Sequence, residues 1–229
     1  MITEISRRVR FTITRLGWHD LKNIEPVSRL FGLDRGTPID RYYIEHFLSE
    51  KKVHIKGNVV EIADNFYSKK YGTDVNSYEV LHVEKHSNAT IIGDLTKKET
   101  LPSGTFDCFI CTQVLNFIFD FQGAIEGAYQ MLKPGGIMLA TVGGISQISR
   151  YDADRWGHYW SFYPNGIGKA FEKVFGVNNV EVNSFGNSLS AISFIKGIAA
   201  EELKKTELDY YDQDYPVTIT IFARKDSNM

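Results

Sequence analysis

The sequence has 229 residues, of which 43% are hydrophobic and 24% charged, a composition typical of a globular protein with one substantial core. Its 26 basic and 28 acidic side chains give a formal net charge of −2, which argues against nucleic acid as a partner. The N-terminus lacks the apolar core of a signal peptide, and no window reaches the roughly 18 apolar residues of a membrane span. We therefore expect a cytoplasmic protein without membrane insertion.

Residues 1–56 precede the first predicted strand. Within them, apolar and aromatic residues recur with helical spacing from Arg41 to Leu48, and Asp40 just before them is a favourable helix cap. We interpret residues 1–56 as an N-terminal helical cap that belongs to the same domain as the core at residues 57–229.

Strands and helices alternate from residue 58 onward. The predicted elements are strand 58–63, a short helix near 66–71, strands 79–84, 89–92 and 106–112, helix 121–132 and strand 136–142. Such alternation is typical of an α/β fold in which helices cover both faces of a mostly parallel sheet.

The next segment, residues 151–163, is rich in aromatic side chains. Further predicted elements are a helix at 165–175, a strand at 179–184, a helical insertion at 188–203 and a β-branched strand at 216–223. The last strand suits an antiparallel position. The insertion fits either a lid over a cleft or the surface of a homodimer, and the sequence leaves both open.

Two cysteines, Cys108 and Cys111, have the CxxC spacing of some redox and metal sites. They fall within a predicted strand, where residues three apart point to opposite faces. We predict two buried, reduced thiols. No cluster of His and carboxylate residues has metal-ligand spacing, so we also predict a metal-independent protein.

Acidic residues stand at or near the ends of three apolar runs: Glu61, Glu84 and Asp94. In an open α/β sheet, ligands bind outside the carboxyl ends of the strands. A carboxylate taken alone is better explained as a solvated strand end, but the three together with the Pro-Gly-Gly turn at residues 134–136 favour a binding site. Thr112 and Gln113 end another strand and either face the same cleft or cap a helix.

These runs resemble the motifs of class I S-adenosylmethionine-dependent methyltransferases. The resemblance covers roughly residues 55–225 and is carried by residues 59–64, Glu84, 93–95, 106–110 and above all 132–136. A narrower resemblance, to a bacterial subgroup associated with glycosyltransferases and surface-glycan assembly, is carried by residues 31–43, 159–160 and 186–187. It implies a Rossmann-like sheet, S-adenosyl-L-methionine as cofactor and a role in polysaccharide biosynthesis.

The resemblance also implies roles for individual residues. Glu61 would lie near the methionine part of the cofactor or hold the following loop, Glu84 would accept from the ribose hydroxyls, and Asp94 from the adenine amino group. The full set of implied cofactor-binding residues is Arg41, Tyr42, Glu61, Ala63, Asp64, Glu84, Asp94, Leu95, Thr112 and Gln113.

The first loop, at residues 63–66, departs from the family because it contains no glycine. Glycine is the residue that most easily takes positive φ and lets the backbone approach a ligand. The same absence argues against an NAD-dependent enzyme, whose pyrophosphate requires a tight glycine turn at a helix N-terminus.

The segment that includes Arg35 and Arg41 fits a turn and a capped helix, or a cover over the cleft. In the second case Arg35 or Arg41 would hold a carboxylate of the cofactor or of an acidic substrate, and Tyr42 would contact the sulfonium by a cation–π interaction. We assign Arg35 to the substrate.

The aromatic segment either packs against the cap or forms the acceptor pocket, with Trp156, Tyr159 and Trp160 against the substrate. His158 is its only histidine and is our candidate base, although a structural histidine is an alternative. The sequence thus predicts a methyltransferase that methylates an oxygen of a saccharide or sugar-linked intermediate. The alternatives are a phosphoryl, carboxyl or nitrogen acceptor on a small metabolite, or a non-catalytic interaction module of a glycan-assembly complex.

Overall fold

The computed structural model describes residues 22–227, which form one mixed sheet surrounded by helices. The strands are β1 (Gly57–Ile62), β2 (Val75–His82), β3 (Ile91–Ile92), β4 (Phe106–Thr112), β5 (Leu132–Gly143), β6 (Val180–Phe185) and β7 (Thr218–Arg224). The α-helices are α1 (Ile39–Glu50), α2 (Phe66–Tyr71), α3 (Phe121–Met131), α4 (Arg150–Trp156), α5 (Pro164–Phe175), α6 (Ser188–Lys196) and α7 (Lys205–Leu208).

The seven strands lie in the order β3-β2-β1-β4-β5-β7-β6. The first five pair in parallel, whereas β7 is antiparallel to both β5 and β6. The predicted α/β fold with an antiparallel last strand is confirmed. Successive strands are added on one side of β1 and then on the other side, starting with β4. The strand order therefore reverses between β1 and β4, where a ligand-binding crevice is expected.

Strand β4 lies at the centre and is buried on both faces, as its continuous apolar run predicts. Cys111 packs on the face covered by α3 and α5, and Cys108 packs on the face covered by α1. Both thiols are buried and free, as predicted. Burial raises the pKa of both, that of Cys111 to about 12, so neither is a reactive thiolate.

Helix α1 confirms the helical spacing seen between Arg41 and Leu48. Its apolar face contains Tyr43 and Phe47, and its first residue, Ile39, is fully buried beside Phe194 of α6. The start of the predicted cap, residues 1–21, lies outside the described part of the chain, and the division at residue 56 stays a prediction.

The second strand differs most from its predicted position. It spans Val75–His82 rather than 79–84, so Glu84 lies beyond the strand instead of at its end. Strand β3 has only two residues, whereas β5 begins at Leu132, directly after α3. Within residues 22–227, none of the helices is long and apolar enough to cross a membrane.

Candidate active site

The candidate site is the crevice at the carboxyl ends of β1 and β4. Each strand is followed directly by a residue other than glycine with positive φ: Ala63, with φ 69°, and Gln113, with φ 56°. The amide of Ala63 still donates to the carbonyl of Leu81 at 3.1 Å, and that of Gln113 to the carbonyl of Thr141 at 2.8 Å. The backbone therefore turns away from the sheet directly after each of these two neighbouring strands. The candidate site is the space between the two turns.

Glu61 shapes the first loop. Its carboxylate is only 3% exposed and accepts hydrogen bonds from the amides of Tyr67 at 3.1 Å and Ser68 at 2.8 Å, at the start of α2. Burial raises its pKa to about 7, although these two amides act in the opposite direction. Of the two roles predicted for Glu61, the contacts favour holding the loop that follows β1.

Asp64 completes this loop. Its Oδ1 accepts from the amide of Phe66 at 2.9 Å, and the side chain itself is exposed. An aspartate just before a helix satisfies one of the free amides of the first turn. Asp64 is thus held at the mouth of the crevice.

Glu84 is an exposed carboxylate beyond the end of β2. Its backbone amide donates to Nδ1 of His82 at 3.1 Å, while its carboxylate has no hydrogen bond or ion pair with residues 22–227. The carboxylate is therefore free to accept from two hydroxyl groups. This is the chemistry that the predicted ribose role requires.

Asp94 and Leu95 are more strongly engaged with the protein than Glu84. Oδ1 of Asp94 accepts from the amide and the hydroxyl of Thr96, at 2.9 and 2.8 Å, and the carboxylate pairs with Lys97 at 3.3 Å. Although burial acts in the opposite direction, these contacts lower the pKa of Asp94. Leu95 is 5% exposed and packs within the core.

Arg35, Tyr42 and Arg41 differ in whether their side chains are already paired within the protein. Arg35 forms a bidentate ion pair with Glu202, with N–O distances of 2.8 and 2.6 Å, and the hydroxyl of Tyr42 donates to Asp209 at 2.6 Å. The guanidinium of Arg41 is exposed and forms no ion pair within the described chain. Arg41 is therefore the arginine that is free to meet an anionic group.

The three predicted substrate aromatics lie in different surroundings. The ring of Trp156 meets that of His82 edge-on, with centroids 6.1 Å apart, at the end of β2. The indole N–H of Trp160 donates to the carbonyls of Ile118 and Phe119, both at 3.1 Å. Tyr159 is 49% exposed. Trp156 thus lies at the end of β2, Trp160 is fixed by its hydrogen bonds, and the half-exposed ring of Tyr159 packs edge-on against Phe119, with centroids 5.5 Å apart.

His158 is a half-buried histidine with a neutral imidazole. Its ring meets Phe117 edge-on at 4.9 Å, and its Nδ1 is buried without a hydrogen-bond partner among residues 22–227. Burial lowers the pKa of His158, so the imidazole is uncharged at neutral pH. A buried nitrogen that lacks a hydrogen-bond partner costs free energy.

Asn116 is a site residue that the sequence did not reveal. It is 4% exposed, follows β4, and its side chain donates to the carbonyl of Trp160 at 2.7 Å. Its amide group also exchanges hydrogen bonds with the backbone of Gly143, at 3.1 and 3.2 Å. Asn116 thereby ties the ends of β4 and β5 to the aromatic segment.

The chemistry of these strand ends suits an adenosyl cofactor that carries an amino-acid end and no phosphate. The left-handed turn at Ala63 is present although the loop has no glycine, and the unpaired carboxylate of Glu84 suits a ribose. The predicted residues that could hold the cofactor are Arg41, Ala63, Asp64, Glu84, Thr112 and Gln113, and their contacts with it stay predictions. In the described part of the chain, no three His, Cys, Asp or Glu side chains are grouped so as to hold a metal ion. Metal independence stays a prediction.

The comparisons with known proteins agree with this geometry. Residues 55–140 match a family model described as a methyltransferase domain. A search of curated proteins by sequence gives no match.

Several solved structures share the fold at low sequence identity. An S-adenosylmethionine-dependent methyltransferase from Archaeoglobus fulgidus is 13% identical, with a TM-score of 0.51 over 81% of this chain and 94% of its own. The N-methyltransferase NodS from Bradyrhizobium japonicum, solved with S-adenosyl-L-homocysteine, is 16% identical, with a TM-score of 0.50 over 90% and 95%. The [4+2]-cyclase SpnF is 15% identical, with a TM-score of 0.54 over 84% of both chains.

The chain thus has the Rossmann-like fold that these methyltransferases share, and its residues 55–140 match the model of a methyltransferase domain.

Proposed function

We propose that the protein methylates an oxygen of a saccharide or sugar-linked intermediate in surface-glycan or related biosynthesis, in the cytoplasm. The observation that carries the oxygen acceptor is the neutral, half-buried imidazole of His158, in the aromatic segment that Asn116 ties to the ends of β4 and β5. A neutral imidazole can take the proton that a hydroxyl loses as it is methylated. Aromatic rings such as that of Tyr159 stack on the apolar faces of sugars.

The roles of the chain's own residues follow from their contacts. When bound, S-adenosylmethionine supplies an electrophilic methyl group. His158 accepts the hydroxyl proton on its imidazole ring, while Asn116 holds the segment that carries it against the ends of β4 and β5. Holding acceptor and donor in one orientation contributes much of the rate in such displacements.

The glycan assignment rests on the resemblance to the glycan-associated subgroup and is tested directly. The protein is incubated with a methyl-labelled donor and with nucleotide sugars and lipid-linked glycans extracted from its own cells, and the products are separated and identified. We expect label in a sugar-containing product, stable to mild base as an ether. Label in a base-labile ester or on nitrogen would replace the saccharide oxygen by one of the other acceptors.

A nitrogen acceptor is the second candidate, because NodS shares the fold and is an N-methyltransferase. A neutral His158 serves as a base for either atom. A non-catalytic role is the third, because the first loop, at residues 63–66, contains no glycine. Calorimetric titration separates the classes: a methyltransferase binds S-adenosylhomocysteine, whereas failure of both the cofactor and this product to bind at millimolar concentration supports the interaction module.

A further inference from the structure

The loop between β2 and β3 reaches across to the glycine-free first loop. The side-chain amide of Asn88 donates to the carbonyl of Ala63 at 3.0 Å. The other end of the same amide, Oδ1, is hydrogen-bonded to Nδ1 of His86. Because Oδ1 is engaged by His86, the NH₂ group is directed towards Ala63.

His86 is itself held in place. Its ring stacks on that of His82 with centroids 5.2 Å apart and an interplanar angle of 14°, and the amide of Ala89 donates to its carbonyl at 3.2 Å. A chain of contacts therefore runs from the last residue of β2 through His86 and Asn88 to the end of β1.

Ala63 is the residue that requires such support. A left-handed conformation places the Cβ of an ordinary residue too close to its own backbone, and costs about 1–2 kcal/mol relative to the right-handed region. Glycine avoids this cost, but residues 63–66 contain none. The bond from Asn88 to the carbonyl of Ala63 fixes the peptide that follows this strained residue.

We propose that Asn88 is a positioning residue for cofactor binding, which holds the first loop in the conformation that glycine would otherwise favour. The proposal rests on the cofactor site at the ends of β1 and β2. Asn88 acts through Ala63, and does not need to touch the cofactor.

The test is a double-mutant cycle in which S-adenosylhomocysteine is titrated into four proteins: wild type, Asn88→Ala, Ala63→Gly and the double variant. Since one hydrogen bond contributes about 0.5–1.5 kcal/mol, we expect Asn88→Ala to weaken binding by about 3- to 10-fold. In the Ala63→Gly background the same change should cost less than about twofold, because glycine takes the left-handed conformation freely.

Two further variants separate positioning from a general effect on the fold. Asn88→Asp keeps the size of the side chain but has no N–H to donate, and should weaken binding as much as Asn88→Ala. Asn76→Ala removes the same group from an exposed position near the start of β2 and should leave binding unchanged.

The proposal is overturned if Asn88→Ala binds as well as wild type, or if its loss is the same with alanine and with glycine at position 63. If wild type itself does not bind S-adenosylhomocysteine, the cofactor assignment fails. The same cycle measured by urea unfolding midpoints then decides the structural part: a smaller shift for Asn88→Ala in the glycine background supports the coupling, and equal shifts refute it.

Discussion

Asn116 and Gly143 bind each other through both backbone groups of the glycine. The amide of Gly143 donates to Oδ1 of Asn116 at 3.1 Å, and its carbonyl accepts from Nδ2 at 3.2 Å. The side chain of Asn116 thus forms hydrogen bonds with both backbone groups of the last residue of β5, as a neighbouring strand would. Its third hydrogen bond, to the carbonyl of Trp160, connects the aromatic segment to β5.

Replacing Asn116 with Ala is therefore expected to destabilise the protein by about 1–3 kcal/mol, because the amide of Gly143 and the carbonyl of Trp160 lose the side chain that pairs with them, whereas the carbonyl of Gly143 keeps the amide of Phe162. Urea unfolding measures this loss. Turnover should fall more than the affinity for S-adenosylhomocysteine, because Asn116 no longer holds the aromatic segment, which we place on the acceptor side of the crevice. Asn116→Asp is the matched control: it retains the acceptor for Gly143 but places a carboxylate against two carbonyl oxygens, and should be at least as damaging. A fully stable Asn116→Asp protein would contradict this account.

His158 predicts the acid limb of the pH–rate profile. Because burial lowers its pKa below the ordinary value of 6.5, the neutral base predominates at pH 7. The rate should rise with pH up to an apparent pKa below 6.5 and then remain level. His158→Gln should remove this limb and lower kcat by about 10²–10⁴-fold, the usual contribution of a general base.

His54 provides a control for that experiment. Its pKa is also lowered, by burial and then by neighbouring cations, but it lies before β1 and packs against Phe222, away from the crevice. His54→Gln should leave the acid limb unchanged. An unaltered profile in His158→Gln would remove this residue from the mechanism.

Glu84 is expected to contribute to cofactor affinity without contributing to stability. Its carboxylate is exposed and unpaired in the described structure, so Glu84→Gln should leave the unfolding midpoint unchanged. A hydrogen bond to a charged group contributes about 1.5–3 kcal/mol, so calorimetry should show S-adenosylhomocysteine bound at least about tenfold more weakly. Glu99→Gln, an exposed glutamate in the short helix Lys98–Thr100, should have no effect on either quantity. Unchanged affinity in Glu84→Gln would exclude the ribose role.

Arg35 and Glu202 should be coupled in stability. Their bidentate, partly buried ion pair joins the segment before α1 to the segment after α6. In a double-mutant cycle of Arg35→Ala and Glu202→Ala, we expect a coupling free energy of about 1–2 kcal/mol in urea unfolding. A negligible coupling together with a raised KM in Arg35→Ala would instead support the substrate role predicted from the sequence.

The central elements of the fold were predictable because their signals are local. Strand β4 has the predicted bounds, 106–112, since a buried apolar run depends on neighbouring residues alone. The predicted start of β2 was wrong because the first half of the strand, Val75–Glu79, carries polar residues. These positions alternate between partly buried and exposed near the edge of the sheet. Its pairing with β1 from Gly57 to Ile62 extends the strand where the sequence pattern is weak.

The candidate site was less predictable, since its contacts join distant segments. The link from Asn88 to Ala63 spans 25 positions, and that from Asn116 to Trp160 spans 44. No spacing rule covers such pairs. The acidic residues were found because strand ends are recognisable, but only the structure distinguishes Glu61, which holds a helix, from Glu84, which is free.

The position of β7 has a consequence for how the chain folds during synthesis. This strand, the last in sequence order, lies between β5 and β6, and aligns seven residues with the first and six with the second. Until it emerges from the ribosome, both neighbours present bare edges, which are templates for aggregation. Nascent chains halted before residue 218 should therefore depend on chaperones far more than those halted after residue 224.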